Sequence, residues 1–222
     1  MCGKFTQMAS WREVHAFSQP MVIKVAGDAV ETATPMRIAH ILRLDEAGER
    51  IMVPMRWGFH RRSSSAQVRP DHMHARAETV DQLPTFRNAF ARHRGILLVH
   101  TFNEGEELAS GKTKQWVITP KDGEPIAIAV ICAAVGQGDA ELWTFVQVTT
   151  PANQLIAPLT DRMPAILPRE AWPAWLGETK ATPAEIKATL TTYEEEGRWE
   201  IAPQARPSAK TRTAPPQSDL FS

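Results

Sequence analysis

Cys2 carries the most distinctive chemical potential in this chain. Removal of Met1, which is usual when the second residue is small, makes Cys2 the amino-terminal residue. A thiol and a free α-amine then sit on adjacent carbons. The amine has a reference pKa of roughly 7.7–8 and the thiol of about 8.5, so both hold a nucleophilic fraction near neutral pH. Such a pair can capture an aldehyde. The amine condenses to an imine, and the thiolate closes a five-membered thiazolidine ring. An internal cysteine has no amine to do this with. The other cysteine, Cys132, lies in the apolar run Ile126–Cys132 and reads as a buried, inert thiol. Two cysteines in such different settings do not suggest a disulfide framework, which fits a reducing cytoplasm.

Arginine is the second resource. Residues 56–94 hold Arg56, Arg61, Arg62, Arg69, Arg76, Arg87, Arg92 and Arg94 against Asp71, Glu78 and Asp81, with no lysine. The segment is therefore net +5, while the whole chain is formally neutral. A guanidinium fork matches phosphate geometry better than an ammonium does. Trp57, Phe59 and Phe86 are interleaved, and aromatic faces beside cations suit the unstacked bases of a single strand. The competing reading is a solvated arginine-rich loop with its aromatics turned to the core. No metal or other cofactor is expected.

These groups need a scaffold. At 222 residues the chain suits one domain with a sizeable core. It has neither a signal-peptide pattern nor an apolar run of membrane-spanning length, so a cytoplasmic protein with no membrane partner is expected, nucleoid-associated when on DNA. The capping box Ser10–Glu13 predicts a helix to about Phe17. Strands are expected over 36–44 and 50–59, joined by the turn Asp45–Gly48, then an arginine-bearing loop to Pro70. Thr85 to His93 predicts a helix with Phe86 and Phe90 on one face. Residues 95–99 read as a buried strand running into a solvated turn at Thr101–Gly105. Strands follow at 115–119, 126–133 and 142–149, and Thr150-Pro151 could start a short helix. Helices are expected over 169–176 and from Thr182. The class is α+β: a single domain over 1–202, a largely antiparallel, barrel-like sheet and flanking helices. Residues 203–222, rich in Pro, Ala, Ser and Thr, read as a disordered tail.

Four stretches together resemble the SRAP family, the SOS response-associated peptidases or abasic-site processing proteins. They are Met1-Cys2-Gly3-Lys4-Phe5, Trp57-Gly58-Phe59, Ala75-Arg76-Ala77-Glu78-Thr79 with Phe86 downstream, and Asp161-Arg162-Met163-Pro164. The resemblance implies a barrel-like domain with a basic groove for single-stranded DNA. It also implies a covalent thiazolidine between Cys2 and the ring-opened aldehyde of an abasic site. The family glutamate falls on Glu104, which would move protons as general acid and base. Three positions depart from the family pattern. His74 replaces an asparagine and Thr160 a histidine, both lining the site, and Gly105 replaces a tryptophan. On this reading Arg76 and Arg162 hold phosphates, and Trp57 and Phe86 stack or wedge near the lesion.

The chain ends in Gln217-Ser218-Asp219-Leu220-Phe221-Ser222, which resembles the pentapeptide that docks bacterial repair proteins on the sliding clamp. Leu220 and Phe221 would be the apolar anchors and Gln217 a polar contact. Two other functions fit the same residues. One is a catalytically impaired single-strand binder tethered to the clamp. The other is a cysteine peptidase acting on its own amino terminus, with hydrolase or lyase chemistry at the same site.

Overall fold

The structure is a computed structural model that describes residues 3–7, 17, 31–60, 70–135 and 141–204. The described strands are β1 (Lys4–Gln7), β2 (Glu31–Ala33), β3 (Ile38–Leu44), β4 (Arg50–Trp57), β5 (His74–Arg76), β6 (Arg94–Val99), β7 (Thr101–Glu107), β8 (Thr113–Pro120), β9 (Ile126–Val135), β10 (Leu142–Pro151), β11 (Arg162–Pro164) and β12 (Trp199–Pro203). The described helices are short: Arg87–Arg92, Trp172–Leu176 and Pro183–Ala188.

Five strands close on themselves in the order β10-β4-β3-β6-β9, and β9 pairs back to β10. Closure removes the open edges a sheet would otherwise expose. All of these pairs are antiparallel except β10 with β4, which is parallel. β10 is ten residues long. Its first half completes the barrel against β9, and its second half leaves it to pair with β5 and β11. One strand thus ties the barrel to the segments carrying His74 and Arg162.

The second sheet runs β12-β8-β7-β1-β2. Its Phe5, Phe102, Ile118 and Trp199 join one apolar cluster with Ile41, Met55, Trp57, Leu97, Val130 and Phe145 from the barrel strands. Alternate residues of the same strands, Leu42, Ile96, Leu98, Ala129 and Val146, face the other way. They pack under Phe90, Trp172 and Trp175 of the helices. Side chains alternate along a strand, so Ile96 and Leu98 serve one cluster while Leu97 and Val99 serve the other. With apolar partners on both faces, β9 reads as an unbroken apolar run, and Ile126 to Cys132 are all buried. Cys132 is a free thiol there, and burial pushes its pKa up to about 12, so it is inert as expected.

The expected class, an α+β domain on a largely antiparallel barrel, is the observed one. Two local expectations change. Thr101–Glu107 is a strand, β7, rather than a solvated turn. Thr150 and Pro151 end β10 instead of starting a helix. The following turn is organised by buried Asn153, whose Oδ1 accepts from the Ile156 N–H at 3.0 Å and whose Nδ2 donates to the Tyr193 carbonyl at 2.9 Å. β12 ends at Pro203. The helix expected over Ser10–Phe17 lies outside the described residues, apart from Phe17, whose ring meets Trp172 edge-on at 5.6 Å. The capping box at Thr182 and Glu185 is formed in full.

Candidate active site

The first described residues run straight to the candidate acid. β1 pairs antiparallel with β7, with Lys4 opposite Asn103 and Phe5 opposite Phe102. One step further in the same register sets Gly3 opposite Glu104. Phe102 and Glu104 share a face of β7, and Phe102 sits in the core. Glu104 is fully buried. Burial therefore dominates its ionisation and pushes its pKa up to about 7. The nearby Asp161 charge pushes it the same way. A carboxyl group near pH 7 can give and take a proton with similar ease.

Phe5 leads to the second candidate. Its ring lies 5.2 Å from Trp57, and Trp57 lies 5.9 Å from His74, edge-on. The Trp57 indole N–H donates to the Met73 carbonyl at 3.0 Å, which anchors the strand that presents His74. The third candidate enters from beyond β10. Ala152 N–H donates to the Asp161 carbonyl at 3.0 Å, and the Thr160 hydroxyl donates to Asp161 Oδ1 at 3.4 Å. Asp161 acts on Glu104 electrostatically, so this segment borders the same carboxyl. β1 is thus linked to Glu104 through its register with β7, to His74 through Phe5 and Trp57, and Glu104 feels Asp161, the neighbour of Thr160. Cys2 itself lies outside the described residues, as do Gln217, Leu220 and Phe221.

Three expected DNA contacts are placed otherwise. Trp57 is fully buried between Phe5 and Phe145, so it offers no face to a base. Phe86 is buried against Phe59 and His72, at 6.2 and 5.2 Å. Both rings were drawn in by the apolar interior their neighbours build. Arg162 is buried and committed. It donates from Nη1 and Nη2 to the Glu78 carboxylate at 2.5 and 2.9 Å, and from Nη2 to the Thr149 carbonyl at 2.6 Å. This bidentate clamp joins β11 to the segment after β5, and the Arg162 bond holds the Glu78 pKa below the usual carboxylate range. Arg162→Met is expected to cost about 1.5–3 kcal/mol of stability by urea denaturation, the range for bonds to charged groups.

The arginine-rich segment divides in the same way. Arg94 donates to the Trp175, Phe90 and Ala91 carbonyls, and Arg56 to the Met36 carbonyl. Arg76, Arg87 and Arg92 are exposed. Arg61, Arg62 and Arg69 lie outside the described residues.

Two glycines of the motifs have steric reasons. Gly58 has φ +119°, and a Cβ there would meet Pro70 at 2.4 Å. A Cβ on Gly105 would come 2.7 Å from Thr113 Cγ2, so a large side chain at 105 needs the β8 strand to give way.

Sequence reasoning missed Asp161 as a neighbour of Glu104, and it missed Gln147. Gln147 is fully buried, and neither atom of its amide has a hydrogen-bond partner among the described residues. Its register partner on β5 is His74. The available signal was a glutamine inside the apolar run Phe145–Val148, where a polar side chain needs a reason. Among the described residues no cluster could hold a metal ion, and no helix is long and apolar enough to cross a membrane.

The family model of the SOS response associated peptidase (SRAP) matches residues 1–205. The chain belongs to the SRAP family. This SRAP protein is 23% identical to the abasic site processing protein YoqW of Bacillus subtilis over 197 residues, covering 87% of this chain and 88% of that one. It is 25% identical to the abasic site processing protein YedK of Escherichia coli over 180 residues, 79% of each chain. Among solved structures, a Bordetella bronchiseptica protein aligns with a TM-score of 0.77 at 22% identity, covering 92% of this chain and all of that one. A Bacteroides thetaiotaomicron protein gives the same TM-score at 23% identity, covering 91% of each chain. The solved structures carry the barrel fold.

Proposed function

We propose that this SRAP protein acts on DNA damage by capturing abasic sites in single-stranded DNA through an amino-terminal Cys2. The relatives are abasic site processing proteins, which supports the substrate. The observation that carries the chemistry is the β1–β7 register, which sets Gly3 opposite buried Glu104. Cys2 is one peptide link from Gly3, about 3.8 Å between Cα atoms. On this reading its amine and thiol work beside that carboxyl group.

The step is an addition followed by a ring closure. The Cys2 α-amine attacks the open-sugar aldehyde, and the carbinolamine loses its hydroxyl as water with a proton supplied by Glu104. The thiol sulfur then adds to the imine carbon, and its proton passes to the nitrogen by way of Glu104. One water leaves, and nothing is oxidised or reduced. A carboxyl with a pKa of about 7 is suited to both transfers. His74 and Thr160 line the same space and hydrogen-bond the open sugar. Arg76, exposed at the end of β5, takes a phosphate. The test is incubation with an abasic single-stranded oligonucleotide and a denaturing gel, which should show a retarded band that survives denaturation.

We also propose a partner for the last residues of the chain. Gln217, Leu220 and Phe221 dock on the sliding clamp, and the stretch before them raises the local concentration of the domain on DNA. Deleting residues 217–222 is expected to abolish clamp binding in a pull-down and to leave crosslinking of a short oligonucleotide unchanged.

A further inference from the structure

A cavity of about 650 Å³ lies between the helix Arg87–Arg92 and the β9–β10 ladder. That volume is within the roughly 300–1,000 Å³ of small-molecule sites. Three imidazoles line it: His60, His72 and His93, with Asn88 and the ring of Phe59. Among its described lining there is no carboxylate, ammonium or guanidinium. Both ring nitrogens of His60 are shielded from solvent and have no hydrogen-bond partner among the described residues. A buried polar atom without a partner costs on the order of 1–3 kcal/mol, so the His60 nitrogens suit a ligand that supplies hydrogen bonds.

The chemistry of the lining limits what can fill it. Burial, then the Arg56 charge, lowers the His60 pKa. Burial, then the charges of Arg43, Arg92 and Arg94, lowers that of His93. His60 and His93 are thereby favoured as neutral rings, one nitrogen a donor and the other an acceptor. A flat ligand with donors and acceptors on its edge matches this set, and Phe59 and His72 supply ring faces. His72 also pairs with Phe59 through an isolated bridge and is two residues from His74, so the cavity and the candidate active site share one short segment.

We propose that this cavity takes a nucleobase. The base comes either from a free nucleotide or from a nucleotide of the bound strand. The site goes beyond the capture of abasic sites, because it needs no aldehyde and no Cys2.

The test uses the full-length protein with undamaged ligands. Nucleoside monophosphates are titrated while the His60, His72 and His93 ring protons are followed by NMR. Undamaged oligonucleotides are titrated in parallel, with one base at a time replaced by a base-less spacer. His60→Phe removes the polar nitrogens, and Ala134→Trp, at an exposed lining position, fills the cavity. If free nucleotides occupy it, the imidazole signals shift with nucleoside monophosphate, and both variants weaken binding at least tenfold. If the strand supplies the base, free nucleotides leave the signals unmoved. One base-less position then weakens oligonucleotide binding to wild type, and that dependence disappears in Ala134→Trp. Unmoved imidazole signals with every ligand, in the wild type alone, overturn the proposal without recourse to a variant. Failure here leaves crosslinking to an abasic oligonucleotide intact, so the two readings fail separately.

Discussion

Cys2→Ala protein mixed with an abasic single-stranded oligonucleotide gives no retarded band on a denaturing gel, while the wild type gives one. The alanine variant keeps its α-amine, so it can still form an imine. An imine without the neighbouring sulfur stays open to water and hydrolyses when the protein unfolds. Only the sulfur closes the ring that makes the adduct durable. The expected effect is complete loss of the stable product. Borohydride added during incubation should recover part of it in the variant by reducing the imine. A gel-stable adduct in Cys2→Ala without reductant would put the nucleophile elsewhere. Cys132 could not take over, because its thiol is fully buried with a pKa pushed up to about 12.

Glu104→Gln is expected to slow adduct formation by about 10²–10⁴-fold, the usual contribution of a positioned acid–base group. The same substitution should stabilise the fold at neutral and alkaline pH. The Glu104 pKa rises from 4.5 in its ordinary setting to about 7 in the folded protein, because burial disfavours the charge. Between those values the folded state holds a proton that the unfolded chain has released. Stability therefore falls as pH rises through this window, and the full cost is present above about pH 7. That cost is on the order of 3 kcal/mol at 1.36 kcal/mol per unit. Glutamine carries no charge to bury. Urea denaturation should show the variant more stable than wild type at pH 8, with the gap closing toward pH 4.5. A variant that is slower but shows no such pH-dependent gain would mean Glu104 is not buried as an acid. Loss of stability with no change in rate would make it a structural residue.

The barrel was legible because its strands are apolar runs of the right length bounded by turn residues. Arg94–Val99 and Ile126–Val135 illustrate this, since burial on both faces removes the need for alternation. The capping box at Thr182 was legible because its signal is local. Glu104 was harder. Three carboxylates, Glu104, Glu106 and Glu107, fall within four residues and by composition belong on a turn. β7 is held between β8, its hairpin partner, and β1, and pairing with β1 about 100 positions away leaves no local signature. Of the three, only Glu104 is buried. Trp57, Phe86 and Arg162 went the other way. Each side chain suits DNA by its type, yet long-range packing uses all three inside, around Phe145, Phe59 and Glu78 respectively. Spacing reports which residues sit in a motif, and it does not report which way each one faces.

The most direct measurement is a peptide-level mass spectrum of the crosslinked product. The adduct is denatured, treated with iodoacetamide and digested, and the amino-terminal peptide is fragmented. The expected peptide begins at Cys2, carries the sugar remnant with the loss of one water, and has no carbamidomethyl group, because its sulfur is already bonded to carbon. Cys132 should be alkylated in the same sample. A sugar-bearing peptide that keeps Met1, or one whose Cys2 accepts iodoacetamide, would contradict ring closure at the amino terminus.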